Sequence, residues 1–322
     1  MVTSEVQDPS ATSPRFAGFF QRLLALVIDG FLLGLFGQAL GIVIPGLLSR
    51  AGAWGWTIGF TIVVSYFGIL NSRIGGGQSL GKRVAKIRVV GGDGKPISLG
   101  RSALRAFVLS APFSFSDAPL DLALPLRLAA IVSYVALGAG LAIVYLFVFN
   151  RPTRQSLHDR LVGSFVVAFD SMVAPGPGNI WWGHRAVVAV IVVLAVVVPI
   201  GVRQLGRTEL FTSLLTAQQA ISKEPGVAYV RMSAPTVINI EDGRRSSRQV
   251  LFVGVVLLPG ATDPAAMASK VVRIVPDTAP EAASMDEITV LLSKGYDIGI
   301  ARLTETRELS LSPSKWRERV GS

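Results

Sequence analysis

Cysteine is missing from the 322-residue chain. That excludes a disulfide framework, thiolate metal sites and a cysteine nucleophile. Histidine is nearly missing, with His158 and His184 the two present. With two histidines and no cysteine, Ser-His-Asp chemistry and metal-assisted hydrolysis both lack parts. The chain therefore reads as a non-enzyme with no catalytic residue, no metal and no cofactor. Charge is scarce as well: 16% of residues are charged and 50% are hydrophobic, whereas soluble domains carry about 25% charged residues. That balance points to a membrane. A cationic stretch followed by a short apolar core and an A-x-A site is also missing from the start. Residues 1–17 are polar, with Glu5 and Asp8, and read as a disordered cytoplasmic tail.

What is present is a set of long uncharged runs. Leu23 to Ser49 holds one charge, Asp29, while Ala51–Ser72, Leu128–Asn150 and Ala186–Val202 hold none. A span needs about 20 apolar residues. The first three runs are long enough, and the fourth, at 17 residues, is at the short limit. Trp54 and Trp56 open the second run and Trp181 and Trp182 precede the fourth, as expected of an interfacial belt.

The net charge of +10 is uneven. Residues 1–202 hold 16 Lys+Arg against 8 Asp+Glu, and residues 203–322 hold 15 against 13. An excess in the membrane half sets orientation, and no nucleic-acid motif accompanies it. Most of it lies between Arg73 and Arg105, where eight basic residues face Asp93 alone. A short loop this basic belongs in the cytoplasm, and the two preceding spans place the N-terminus there too. Within the loop, "AKIRVV-GGDGK-PISL" alternates around Asp93-Gly94 and predicts a β-hairpin.

The same loop holds "GGGQSLGKR", Gly75 to Arg83, close to the phosphate-cradling G-x-x-x-x-G-K-[ST]. Arg83 stands where Ser or Thr would hold Mg²⁺, and the segment follows a membrane span, not a buried strand. Nucleotide binding is therefore not expected. The glycines turn the chain at the membrane surface, and Lys82, Arg83 and Lys86 face anionic headgroups or the membrane carboxylates.

Residues 106–126 are apolar but contain Pro112, Pro119, Pro125, Asp117 and Asp121. Three prolines make a straight span unexpected, and a broken or re-entrant helix fits better. The number of crossings depends on this piece. If 106–126 does not cross, four spans place the C-terminal region in the cytoplasm. If it crosses or re-enters so that the third run returns inward, "RPTRQSLHDR" (Arg151–Arg160) is cytoplasmic, and the region after the fourth run lies outside. Arg151, Arg154 and Arg160 favour that arrangement.

"APGPGN" (Ala174–Asn179) punctuates a linker. Beyond residue 203 the pattern predicts a helix over 205–223, strands 227–241 and 249–258 around Asp242-Gly243, and a helix opened by Asp263-Pro264. A hairpin around Lys294-Gly295 and a short helix from Pro313 follow. The order α-β-β-α-β-β-α suits a small sheet with helices on one face. The fold expected is thus an α-helical polytopic bundle of four to five membrane segments, one of them possible as a re-entrant piece, plus a small soluble α+β domain. The divisions are a tail (1–17), a membrane domain (18–170), a linker (171–185), a last span (186–202) and an extracytoplasmic domain (203–322).

Two polar constellations stand out. Arg22 and Asp29, seven residues apart, share a helix face about 10 Å along the axis. An ionisable group at the depth of Asp29 faces the bundle interior. It reads first as half of a salt bridge, with Arg22 or with the basic loop, and second as an ion- or proton-binding carboxylate. The other is "QSLHDRLVG", where adjacent His158 and Asp159 suit neither a triad nor a metal pair, and read as a cap and a surface charge.

"QRLLALVID" (Gln21–Asp29), "GGQSLGKRVAKIRVVGGDGKPISLGRSALR" (Gly76–Arg105) and "RQSLHDRLVGSFVV" (Arg154–Val167) together resemble the RDD family of bacterial membrane proteins, over about residues 16–168. The family is named for one Arg and two Asp, which by position are Arg22, Asp29 and Asp159. Gly81, Lys82, Arg83, Arg105 and His158 lie in its motifs as supporting residues. Ser164 departs from the frequent Thr. The resemblance implies a multi-pass protein of the bacterial cytoplasmic membrane, and returns the His158–Asp159 segment to the face of Arg22. It further implies either a membrane module fused to another domain or transport, Na⁺/H⁺ antiport included. Two roles follow for the whole chain. One is an accessory or anchoring component that presents its C-terminal domain to a ligand, a membrane protein partner or another copy. The other is a carrier in which Asp29 and Asp159 exchange ions.

Overall fold

A computed structural model describes residues 13–115, 118, 124, 126–171, 173–176, 180–202, 209–241, 244–260 and 263–321. The chain divides into two compact units, Met1–Gly37 with Thr57–Ile200, and Gln38–Trp56 with Gly201–Ser322. The second therefore includes the connection between the first two apolar runs, which a linear reading assigns to the membrane domain.

The first unit is built on helices α1 (Phe19–Val43), α3 (Trp56–Leu70), α5 (Leu99–Phe115), α6 (Leu126–Phe149) and α8 (Trp182–Val202). At about 1.5 Å per residue, the 25 residues of α1 reach about 38 Å, more than the ~30 Å hydrocarbon core. Three described helical stretches are long and apolar enough to cross a membrane: Phe19–Val43, Gly52–Leu70 and Leu128–Phe149. Trp182–Val198 is a shorter apolar helix. Large apolar side chains such as Phe20, Phe31 and Val193 are exposed, as hydrocarbon solvent permits.

Residues 106–115 continue α5 without a break, and Pro112 sits inside the helix. Helix α6 passes this proline at a glycine, since a Cβ on Gly140 would lie 3.3 Å from Pro112 Cβ. The helix is thus continuous through the first of the three prolines, as far as Phe115. Pro119, Pro125, Asp117 and Asp121 lie outside the described residues.

The basic loop folds differently from expectation. Strand β1 (Ile87–Gly91) pairs antiparallel with β2 (Ser164–Ala168), with Val89 opposite Val166. The turn at Gly91–Lys95 does form, with Gly94 N–H donating to Gly91 O. "PISL" then enters α5 instead of returning along β1. Alternation identified a strand but not its partner. Phe16 bridges Val167, and the Ala17 N–H donates to Val166 O at 2.9 Å. Order thus begins before residue 18, and residues 1–12 of the expected tail lie outside the described residues. Helix α8 starts at Trp182, four residues inside the expected linker.

The second unit has α2 (Pro45–Arg50), α9 (Glu209–Ser222), α10 (Pro264–Thr278), α11 (Pro313–Gly321) and a five-stranded sheet. Its strands are β3 (Val227–Ser233), β4 (Thr236–Glu241), β5 (Arg244–Leu257), β6 (Glu287–Asp297) and β7 (Arg302–Leu311). The order is β3-β5-β6-β7, with β4 on β5. β5 and β6 are parallel, joined through α10, and the other pairs are antiparallel. Leu251, Val253, Val255 and Leu257 alternate inward and meet Met267, Val271 and Val275 of α10. The periods 2 and 3.6 thus build one core. Trp316 closes it from α11, its Nε1–H donating to Ile288 O at 2.9 Å. The β6–β7 turn falls at Ile298–Ala301, not at Lys294-Gly295, because Gly295 (φ 130°) lies within the strand pair opposite Thr304. The expected turn at Asp242-Gly243 lies outside the described residues.

Candidate functional site

The polar residues of the first unit gather into two adjoining clusters, each centred on a fully buried aspartate. Asp159 sits on a five-residue helix, α7 (Leu157–Leu161), between α6 and β2. Its Oδ1 accepts from Arg105 Nη2 at 2.7 Å, Arg105 Nε at 2.9 Å and Ser164 Oγ at 3.2 Å. Its Oδ2 accepts from Arg22 Nη2 at 2.9 Å and from the Ser156 N–H at 3.2 Å. Arg22 also donates to Arg154 O and lies 4.9 Å from the Phe147 ring centroid. Both guanidiniums are buried, and such charges persist in an interior only when paired. Burial alone would push the Asp159 carboxyl up, but Arg105, His158 and Arg22 outweigh it and hold the group well below the carboxylate range.

The second cluster surrounds Asp29 of α1. Oδ1 accepts from the Gly81 N–H and from Tyr66 OH, each at 2.7 Å, and Oδ2 accepts from Ser79 Oγ at 2.6 Å. Gly81 lies in α4 (Leu80–Val84), whose N-cap is Ser79. The carboxylate of one helix thus ties down the first turn of another. A Cβ on Gly81 would collide with Ala25 O and come within 2.9 Å of Asp29 Cγ, so only glycine permits this approach. Before it, Gly76 and Gly77 adopt φ of 68° and 78°. Gly77 then accepts the Val89 N–H at 2.8 Å. The near-P-loop segment is therefore a clasp joining α1, α4 and β1.

The expected Arg22–Asp29 salt bridge is not formed. Spacing placed both on one face, but Asp159, brought in from 137 positions away, takes the arginine. The His158–Asp159 pair is likewise buried and is not a surface charge. His158 Nε2 lies 3.5 Å from Asp159 Oδ2. Burial, helped by Arg105 and Arg22, lowers the imidazole to about 3 against the pull of Asp159, so the ring is neutral. Lys82 donates to Ser79 Oγ at 3.2 Å and lies 5.2 Å from the Phe67 ring centroid. Burial first, and Arg105 next, lower its ammonium to about 7. Arg83 is exposed.

Ser79, Tyr66 and Ser156 complete the clusters without standing out in the sequence, and Ser164 joins them. Ser156 and Asp159 do carry the S-x-x-D spacing of a helix start, a usable signal. Nothing marks Tyr66, one tyrosine inside an apolar span. Asn150 and Gln155 support the returning loop, Asn150 donating to Gln155 O and Gln155 to Ser164 O, both at 2.8 Å. Among the described residues, no group of three or more His, Asp or Glu converges as a metal set.

Apolar helices of spanning length, closed at one end by buried ion pairs, define a helical membrane module. Residues 16–163 match the model of the RDD family. The C-terminal α/β region lies beyond the match. No curated protein matches the chain.

Proposed function

We propose that the chain is an anchoring component. In this reading the RDD module is a rigid membrane base, and it presents the C-terminal domain on the outer side of the cytoplasmic membrane to a ligand or protein partner. The observation that carries the reading is the saturation of both buried carboxylates. Asp159 accepts five hydrogen bonds and Asp29 three. A carboxylate that must bind and release an ion works better with open coordination positions, whereas these act as fasteners.

Orientation draws on two pairings. β1 joins β2, so the basic loop and the Arg154–Ala168 segment share one side, and lysine and arginine place that side in the cytoplasm. Residues 38–56 fold with the C-terminal domain. The Tyr296 hydroxyl donates to Gln38 Oε1 at 3.3 Å, for example. That connection is separated from the basic loop by α3, so this domain goes outside, and α8 is its crossing.

One observation favours the carrier reading. Lys82, beside the Asp29 cluster, is set to about 7 and can release a proton within the working range. Everted vesicles separate the two. Anchoring predicts that vesicles with and without the protein dissipate a pH gradient equally when Na⁺ or K⁺ is added. Cation-dependent dissipation that Asp29→Asn or Lys82→Met abolishes would overturn it.

A further inference from the structure

The sheet of the second unit ends on β7. One edge of β7 bonds to β6, and no strand among the described residues pairs with the other. Such an edge presents a row of unpaired N–H and C=O groups, a template for another strand. Every residue from Arg302 to Glu308 is exposed, and Leu303 is 64% exposed.

The side chains on this edge follow a pattern. Register on β6 puts Leu303, Glu305, Arg307 and Leu309 on the core face, opposite Tyr296, Lys294, Leu292 and Val290. Read forward, that face is apolar, negative, positive, apolar. Read backward, it is apolar, positive, negative, apolar, which is its own charge complement. The other face carries Thr304, Thr306 and Glu308. Among the described residues neither Glu305 nor Arg307 has an ion-pair partner, although Glu305 lies across from Lys294.

In an antiparallel pair, residues directly opposite point to the same face. Place two β7 strands edge to edge with Thr306 opposite Thr306. Leu303 then faces Leu309, Glu305 faces Arg307, and both contacts occur twice. Moving the centre to residue 305 sets Glu305 against itself, and moving it to 307 does the same to Arg307. Like charges directly opposite are destabilising, so the register centred on Thr306 is favoured over both of these neighbours. Isolated charges usually blunt an edge. Here their order repels the wrong registers and attracts the right one.

We propose that two copies of this chain join through β7, antiparallel about a twofold axis at Thr306, making one continuous ten-stranded sheet. The contact is isologous, as a twofold requires.

Because the chain has no cysteine, a single introduced one reports cleanly. Thr306→Cys, in the full chain in native membranes, should give a disulfide-linked dimer under mild oxidation at least tenfold faster than Thr304→Cys. Mixing chains carrying Thr304→Cys with chains carrying Glu308→Cys should restore the link, since those positions face each other. Arg307→Glu should slow the Thr306→Cys link several-fold, and Glu305→Arg combined with Arg307→Glu should recover it. Wild-type protein in mild detergent should have the mass of a dimer by light scattering, and Arg307→Glu that of a monomer. Equal linking at 304 and 306, or a monomeric wild type, would overturn the proposal.

Discussion

Removing the Asp159 charge leaves the guanidiniums of Arg22 and Arg105 buried without their anion. Breaking a buried pair from one side costs roughly 3–5 kcal/mol. Asp159→Asn should therefore lower the thermal midpoint of the detergent-solubilised chain strongly. Asp29→Asn should cost less, about 1–3 kcal/mol, because its partners are a hydroxyl pair and an amide, none of them charged. Equal losses would refute this division. His158 sets the response to acid. Its folded value, about 3, lies below the free value of 6.5. From 6.5 down to 3 the unfolded chain binds a proton that the folded chain refuses, so stability falls as pH falls. Above 6.5 this group contributes no slope. Thermal midpoints between pH 4 and 8 should show the loss, and His158→Gln should flatten it.

At the scale of elements, glycine decides how closely α4 approaches α1. Gly81→Ala drives a methyl into Ala25 O, lifting α4 and stripping two donors from Asp29, and should destabilise by several kcal/mol on the scale of overpacked cores. Gly100→Ala is the control: nothing lies within 4 Å of its would-be Cβ. There alanine should be neutral or stabilising by about 1 kcal/mol, through helix propensity. Melting curves of both variants check the contrast. Helices and strands of this protein were largely legible: α6 contains a long uncharged run, and α10 opens at Asp263-Pro264. Partnership was not. β1 alternates visibly, but its partner lies beyond three helices, and Arg22 sits in register with Asp29 while bonding to Asp159. Local spacing records which residues share a face. Which loop returns to that face is a property of the whole fold. Gly295 misled for a related reason, because positive φ serves a turn and an irregular strand equally.

At the scale of the molecule, the proposed orientation puts the basic loop and the C-terminal domain on opposite sides of the membrane. Single cysteines at Lys95 and Lys315, both exposed, should react with an impermeant maleimide from opposite sides: Lys315→Cys in intact cells, Lys95→Cys only after permeabilisation. Labelling from the same side would refute the extracytoplasmic placement. The β1–β2 pair also has a bearing on biosynthesis. Gly91 and Ser164 are neighbours in the sheet yet 164 − 91 = 73 residues apart. At about 5–20 residues per second, roughly 4–15 s separate their emergence from the ribosome. Within it, for the 159 − 105 = 54 residues between Arg105 and Asp159, roughly 3–11 s at that rate, Arg22 and Arg105 exist and Asp159 does not. The two cations must stay hydrated at the membrane surface until their anion is synthesised. Closure of the bundle is therefore a checkpoint: a chain truncated before residue 159 displays two unmatched arginines, a mark by which an unfinished protein can be told from a finished one.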